Sequence, residues 1–232
     1  MGNYPPPPPG TGYGPTAPTH DAYSAERALQ EWAASRGHVI YQQPDIHWYG
    51  AWSPFVFLPR FSRLGRELRA TYGEASLWVV ETFENDTIRQ LAGEDRHLCI
   101  FLGSPRLAYR GALRSRIGGG GFLSEVGREI DAFVGAKPQI GSILGDPTLE
   151  SVFEVAAPTR EEGNAALTMP LRQLLVSSGY KGILELRAGG LIAMMTERPG
   201  FDPHSLEGTL AIVAQLYKAA IQYPHPVTAP PG

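Results

Sequence analysis

The chain has 232 residues, 43% of them apolar and 19% charged, which is enough apolar material to bury one sizeable core. A formal net charge of -3 excludes a global positive field that would draw the whole chain to nucleic acid or an anionic membrane. The single cysteine, Cys99, excludes an internal disulfide framework and suits a reducing compartment, with the cytoplasm the simplest expectation.

Residues 1–22 ("MGNYPPPPPGTGYGPTAPTHDA") are Pro, Gly and Thr punctuated by Tyr4 and Tyr13, a composition that cannot repay the entropy of ordering. Pro5 to Pro9 favour polyproline II, which either serves as a tether or is read by a partner's groove. Residues 224–232 form a shorter tail of the same kind. No basic region followed by an apolar run marks a secretory signal, and no run of 18 apolar residues predicts a membrane span. Residues 23–223 are expected to form a single domain.

Ser24 is positioned to cap a helix through "AERALQEWAASRG", where Ala25, Ala28, Leu29 and Trp32 form an apolar stripe and Gly37 closes it. "HVIYQQPDIHWYGAW" reads as extended, interrupted at Pro44. In "PRFSRLGRELRATYG" the recurrence of Phe61, Leu64, Leu68 and Tyr72 predicts a helix, with Arg60, Arg63, Arg66 and Arg69 winding around its surface. "SLWVVETF", "HLCIFLG" and "RLAYRGALRSRI" predict three strands. The last alternates, placing Leu107, Tyr109, Leu113 and Ile117 opposite Arg106, Arg110, Arg114 and Arg116, with Gly111 a candidate break.

Gly118 to Gly121 then form a flexible joint over 117–122, followed by a short helix in "FLSEVGREIDAFVG" and a strand in "SVFEVAA". "TREE", Thr159 to Glu162, has the spacing of a capping box, and Pro170 kinks or restarts the helix that follows before Leu171, Leu174 and Leu175 pack inward. "YKGILELRAGGLIAMMTE" predicts a hairpin turning at Gly189-Gly190. Asp202-Pro203 opens a helix with Leu206, Leu210, Val213, Tyr217 and Ile221 on one face, stopped by Pro224. Hairpins mixed with helices, without regular strand and helix alternation, predict an α+β fold with a mainly antiparallel sheet.

"ALQEWAASRGHVIY", "LGDPTLESVFEV" and "ALTMPLRQLL", followed by the Gly-Gly hairpin and the last helix, resemble a loose group of uncharacterised bacterial proteins of unknown function. The group carries a Phe-Asp pair where this chain has Leu149-Glu150. The resemblance implies a bacterial α+β domain, attached in other members to membrane segments, and it implies no catalytic residue.

The glycine run fails both phosphate-loop spacings: Leu123 or Ser124 falls where the third glycine of G-x-G-x-x-G belongs, and no Gly-Lys-Ser or Gly-Lys-Thr follows. A looser anion site remains, in which Arg106, Arg110, Arg114 and Arg116 lead into the amides of Gly119 and Gly120. The plainer alternative is a solvated strand face. His97 and Cys99 share a strand face, as do Asp45 and His47, with His38 a third possible ligand, but neither set has the dense spacing of a metal or thiol site. Glu81 and Glu84 fall on opposite faces of an extended segment, and "GSILG" lacks the nucleophile-elbow spacing.

The leading expectation is therefore a non-catalytic interaction or adaptor domain, with an unknown protein partner reached in part through the proline-rich arm. No metal or cofactor is expected. The alternative is a binder of, or enzyme acting on, an anionic small molecule, through the Arg106–Arg116 face and the Gly118–Gly121 loop. Weak nucleic-acid binding comes third, disfavoured because no aromatic platforms accompany the arginines.

Overall fold

The computed structural model describes residues 20–44, 49–59, 61, 63–84, 95–116, 139–195 and 200–222. Residues 1–19 of the proline-rich arm, Gly118 to Gly121, the helix expected after them, Asp45 and His47 lie outside the described residues, while residues 20–22 of the arm belong to the first helix. The strands are β1 (Val39–Tyr41), β2 (Arg63–Tyr72), β3 (Ala75–Glu84), β4 (Asp95–Gly103), β5 (Gly111–Ser115), β6 (Gln139–Gly141), β7 (Phe153–Ala157), β8 (Gly182–Arg187) and β9 (Gly190–Met195). The helices are α1 (His20–Ser35), α2 (Pro147–Val152), α3 (Arg160–Ala166), α4 (Met169–Ser177) and α5 (Pro203–Ala220).

All nine strands join one sheet in the order β1-β2-β3-β4-β9-β8-β5-β7-β6. Each neighbouring pair is antiparallel, so the fold is α+β. The β8–β9 hairpin turns at Ala188-Gly189, where Gly189 takes a φ of +84° that an L side chain would strain.

The central strands are buried on both faces, which is why β4 reads as a continuous apolar run. Leu98, Ile100 and Leu102 face a core shared with Leu29 of α1, Leu171 and Leu175 of α4, and Leu206 and Val213 of α5. Cys99 and Phe101 face the other way, with Val80, Ile183, Ile192 and Met194, under a strap of residues 49–58 that contributes Trp52, Phe55, Phe57 and Leu58.

The helix expected over residues 61–72 is a strand. Leu64, Leu68 and Tyr72 are spaced by four, which suits one face of a helix and equally the even positions of a strand. A bulge decides their orientation: Leu64 pairs with Thr82, but Glu67 pairs with Val80, so β2 holds one extra residue. Leu64 therefore packs on the strap side and Leu68 on the helix side. A Cβ on Gly65 in the bulge would sit 2.7 Å from Glu81 Oε2 and 2.8 Å from the Phe83 ring.

Residues 106–110 are not strand, because β5 begins at Gly111. Helix α1 starts at His20, ahead of Ser24, with Ala22 and Ala25 favouring continuation of the helical backbone. Its end is as expected: Gly37 has a φ of +69°, and the His38 and Gly37 amides return to Ala33 and Ala34. Helix α2, capped by the Asp146 carboxylate on the Leu149 amide, absorbs the first residues of "SVFEVAA".

Candidate binding surface

Helix α5 opens where Asp202 accepts hydrogen bonds from the Ser205 amide and hydroxyl, at 3.0 and 2.8 Å. These bonds, the backbone amide foremost, hold the Asp202 carboxyl below its usual value. Leu206, Thr209, Val213, Leu216 and Tyr217 point into the core, and Tyr217 Oη lies 2.7 Å from Ser104 Oγ. The outward positions Gly208, Ala211, Ile212 and Gln215 carry no charge across two turns, and Ile212 is 39% exposed. A surface helix normally places charges there.

Helix α4 packs beside α5 in the opposite direction. Thr168 Oγ1 at its start donates to the Ala219 carbonyl at 2.8 Å, while Leu174 and Ser178 near its end share a depression of about 170 Å³ with Ile212, Gln215 and Leu216. Lys181 lines this depression, and Lys218 projects over the Tyr72 ring at 5.7 Å. Met169, 56% exposed, stands at the start of α4, at the opposite end of that helix from the depression. On the other flank of α5 lies a half-open pocket of about 270 Å³, walled by β2, β3, β4 and α5.

The strap over the opposite sheet face is held by one carboxylate. Glu185, 1% exposed on β8, accepts from the amides of Val56, Phe57 and Leu58 at 2.7–3.1 Å. Arg187 donates to Glu185 at 3.0 Å, to the Pro54 carbonyl at 3.3 Å and to the Trp52 carbonyl. Burial pulls the Arg187 guanidinium below its usual value and Glu185 opposes the shift.

Each of the four arginines of the expected anion face has its own partner. Arg106 meets Glu74 at 3.7 Å. The Arg110 amide and guanidinium both engage Glu162 of α3, the latter at 2.7 Å. Glu162 thus turns to Arg110, while Thr159 Oγ1 still accepts from the Glu162 amide as the expected cap. Arg114 pairs with Glu154 of β7 at 2.5 Å and lies over Phe57 on the strap side. Arg116 donates to the carbonyls of Glu150 and Phe153. Their intended partners in the loop, Gly119 and Gly120, lie outside the described residues.

The remaining sequence candidates are distributed through the fold. Arg66 and Arg96 both engage Glu81, and Arg66 reaches Glu26 of α1 and the ring of Phe201, which ties the β2 bulge to the helical layer. Arg69 pairs with the fully buried Glu67 and stacks on Tyr41. His97 and Cys99 do share the strap-side face. Cys99 is fully buried, and burial followed by the Glu185 charge pushes its thiol well above the ordinary value, which disfavours the thiolate. Among the described residues no group of three His, Cys, Asp or Glu side chains is placed to hold a metal ion, and no helix is long and apolar enough to cross a membrane.

No family model matches the chain, and no curated protein matches it in sequence. Among solved structures it is similar to the crystal structure of the mycobacterial trehalose monomycolate transport factor A, TtfA, with a TM-score of 0.54 and 11% identity. The match covers 87% of this chain and 97% of that one, and at such identity the likeness is one of fold.

Sequence reasoning assigned α5 and its inward face but passed over its outward one. The signal was present in "GTLAIVAQL", which has no charged residue on any side. Glu185 and Arg187 gave no such signal, because alternate charged residues on a strand usually face water.

Proposed function

We propose that the domain is a non-catalytic interaction module that presents the outward face of α5 to a protein partner. The observation that carries this reading is the uncharged stretch of Gly208, Ala211, Ile212 and Gln215, beside the depression shared with α4. Apolar side chains held on a rigid helix, next to a concavity, are the usual anchor of a helix-mediated interface. Lys181 lines the concavity, so a carboxylate beside the partner's own apolar anchor would meet a cation there. The proline-rich arm is a second, weaker contact or a tether, and the buried Cys99 thiol suits a reducing compartment such as the cytoplasm.

The test uses tagged full-length chain, the same chain lacking residues 1–22, and Ile212→Asp, each recovered from the source cells with its bound proteins. A partner lost from Ile212→Asp and rebinding the purified wild-type chain at least tenfold more tightly than the variant supports the α5 reading. Equal recovery by Ile212→Asp removes it, and loss only on deleting residues 1–22 moves the interface to the arm.

The anionic-ligand reading stands second. It requires an anion to compete with Glu162 for Arg110 and with Glu154 for Arg114, both at hydrogen-bonding distance. A panel of nucleotides and phosphosugars read by thermal shift tests it: a ligand at 100 times its Kd stabilises by about 2.7 kcal/mol. Nucleic-acid binding is third and would weaken steeply with salt.

A further inference from the structure

Between α5 and the sheet, Ala70, Leu77, Leu102, Leu210, Val213 and Ala214 wall the half-open pocket of about 270 Å³ introduced above. Its size follows from composition. Ala70 on β2 and Ala214 on α5 stand where longer side chains would fill the space between helix and sheet, and Ala211 lies at the exposed rim. A dry cavity of roughly 150 Å³ lined by aliphatic side chains is enough to take up benzene, so by proportion this one has room for about ten heavy atoms. It lies a little below the range of ordinary ligand pockets, which begins near 300 Å³.

Polar groups at the wall are few. Thr71 and Tyr72 come from the end of β2, and His38 comes from the turn after α1. The His38 ring is held by an edge contact with Trp32 at 5.8 Å. Burial first, and then the positive charge of Arg36, pull His38 below the usual histidine value, which favours the neutral imidazole. The Arg36 charge is itself occupied by Glu207 at 2.5 Å. A ligand in this half-open pocket meets mainly hydrocarbon and uncharged hydrogen-bonding groups, with the Lys218 ammonium outside the lining, over the Tyr72 ring at 5.7 Å.

We infer that this pocket is a binding site for a small neutral apolar molecule, an alkyl chain or aromatic ring of about ten heavy atoms carrying at most one uncharged polar group. The site borders the outward face of α5 at Ala211, but binding is read on the chain alone, without a protein partner, so its failure and that of the partner reading are distinguishable.

The experiment titrates the full-length chain with 1-octanol, indole and octanoate while the methyl resonances of Leu77, Leu102, Leu210 and Val213 are followed. The expected result is saturable shifts at these methyls with octanol or indole, and at least tenfold weaker binding of octanoate. Ala214→Phe, which fills the pocket, should abolish the shifts. If that variant does not fold, Ala211→Phe, at an exposed position on the same wall, takes its place. Absence of saturable shifts with both neutral probes overturns the inference. So does octanoate binding as tightly as octanol, or undiminished binding by the filled variant.

Discussion

At Glu185 a buried carboxylate is stabilised by three consecutive amides and one guanidinium, so its charge organises the strap rather than the sheet. Breaking such a buried pair by removing one partner usually costs about 3–5 kcal/mol, because the other charge stays buried. Glu185→Gln is expected to fall in that range by urea denaturation, and a double cycle with Arg187→Met should show strong coupling. The exposed Arg27–Glu31 pair on α1 is the internal control, and its removal should leave the urea midpoint unchanged. Asp202 makes a prediction with a sign. Its folded value lies below the unfolded value of about 3.9, so the cap's contribution is complete above that pH and is lost as pH falls through the folded value. Asp202→Ala should cost about 1 kcal/mol at neutral pH. Asp202→Asn should keep the cap and lose this part of the acid sensitivity, both read from urea midpoints between about pH 2 and 7.

Among the elements, the β2 bulge shows where local pattern and final structure part. Gly65→Ala would press its Cβ on Glu81, already held by Arg66 and Arg96, and on the Phe83 ring, which carries Arg63 at 3.4 Å. We expect a loss of about 1–3 kcal/mol, the usual cost of overpacking, measured by chemical denaturation. The elements legible in the sequence were those whose signals are local: Asp202 and Pro203 opening α5, Gly37 ending α1, and Gly189 in the hairpin turn. Strand β2 was not legible, because a spacing of four satisfies both periods and the phase shift at Gly65 appears only once β3 is beside it. The arginines leading into β5 could be named from the sequence, but their partners Glu162, Glu154 and Glu74 come from three other segments. Spacing along a chain carries no information about such pairs.

At the scale of the molecule, one nine-stranded sheet among the described residues separates a helical layer from a strap, and the two faces have different chemistry. The strap face is closed over aromatic rings and the Glu185 charge, whereas the helical layer leaves an uncharged surface on α5 and a half-open pocket on its flank. Recognition is proposed on the helical side. The most direct test is a photo-crosslinking amino acid placed singly at position 212 or at position 110 in the full-length chain, expressed in its source cells. A discrete adduct with one protein from position 212, absent from position 110, is the predicted result. An adduct from position 110 with none from position 212 would contradict the account and shift recognition to the arginine-bearing side.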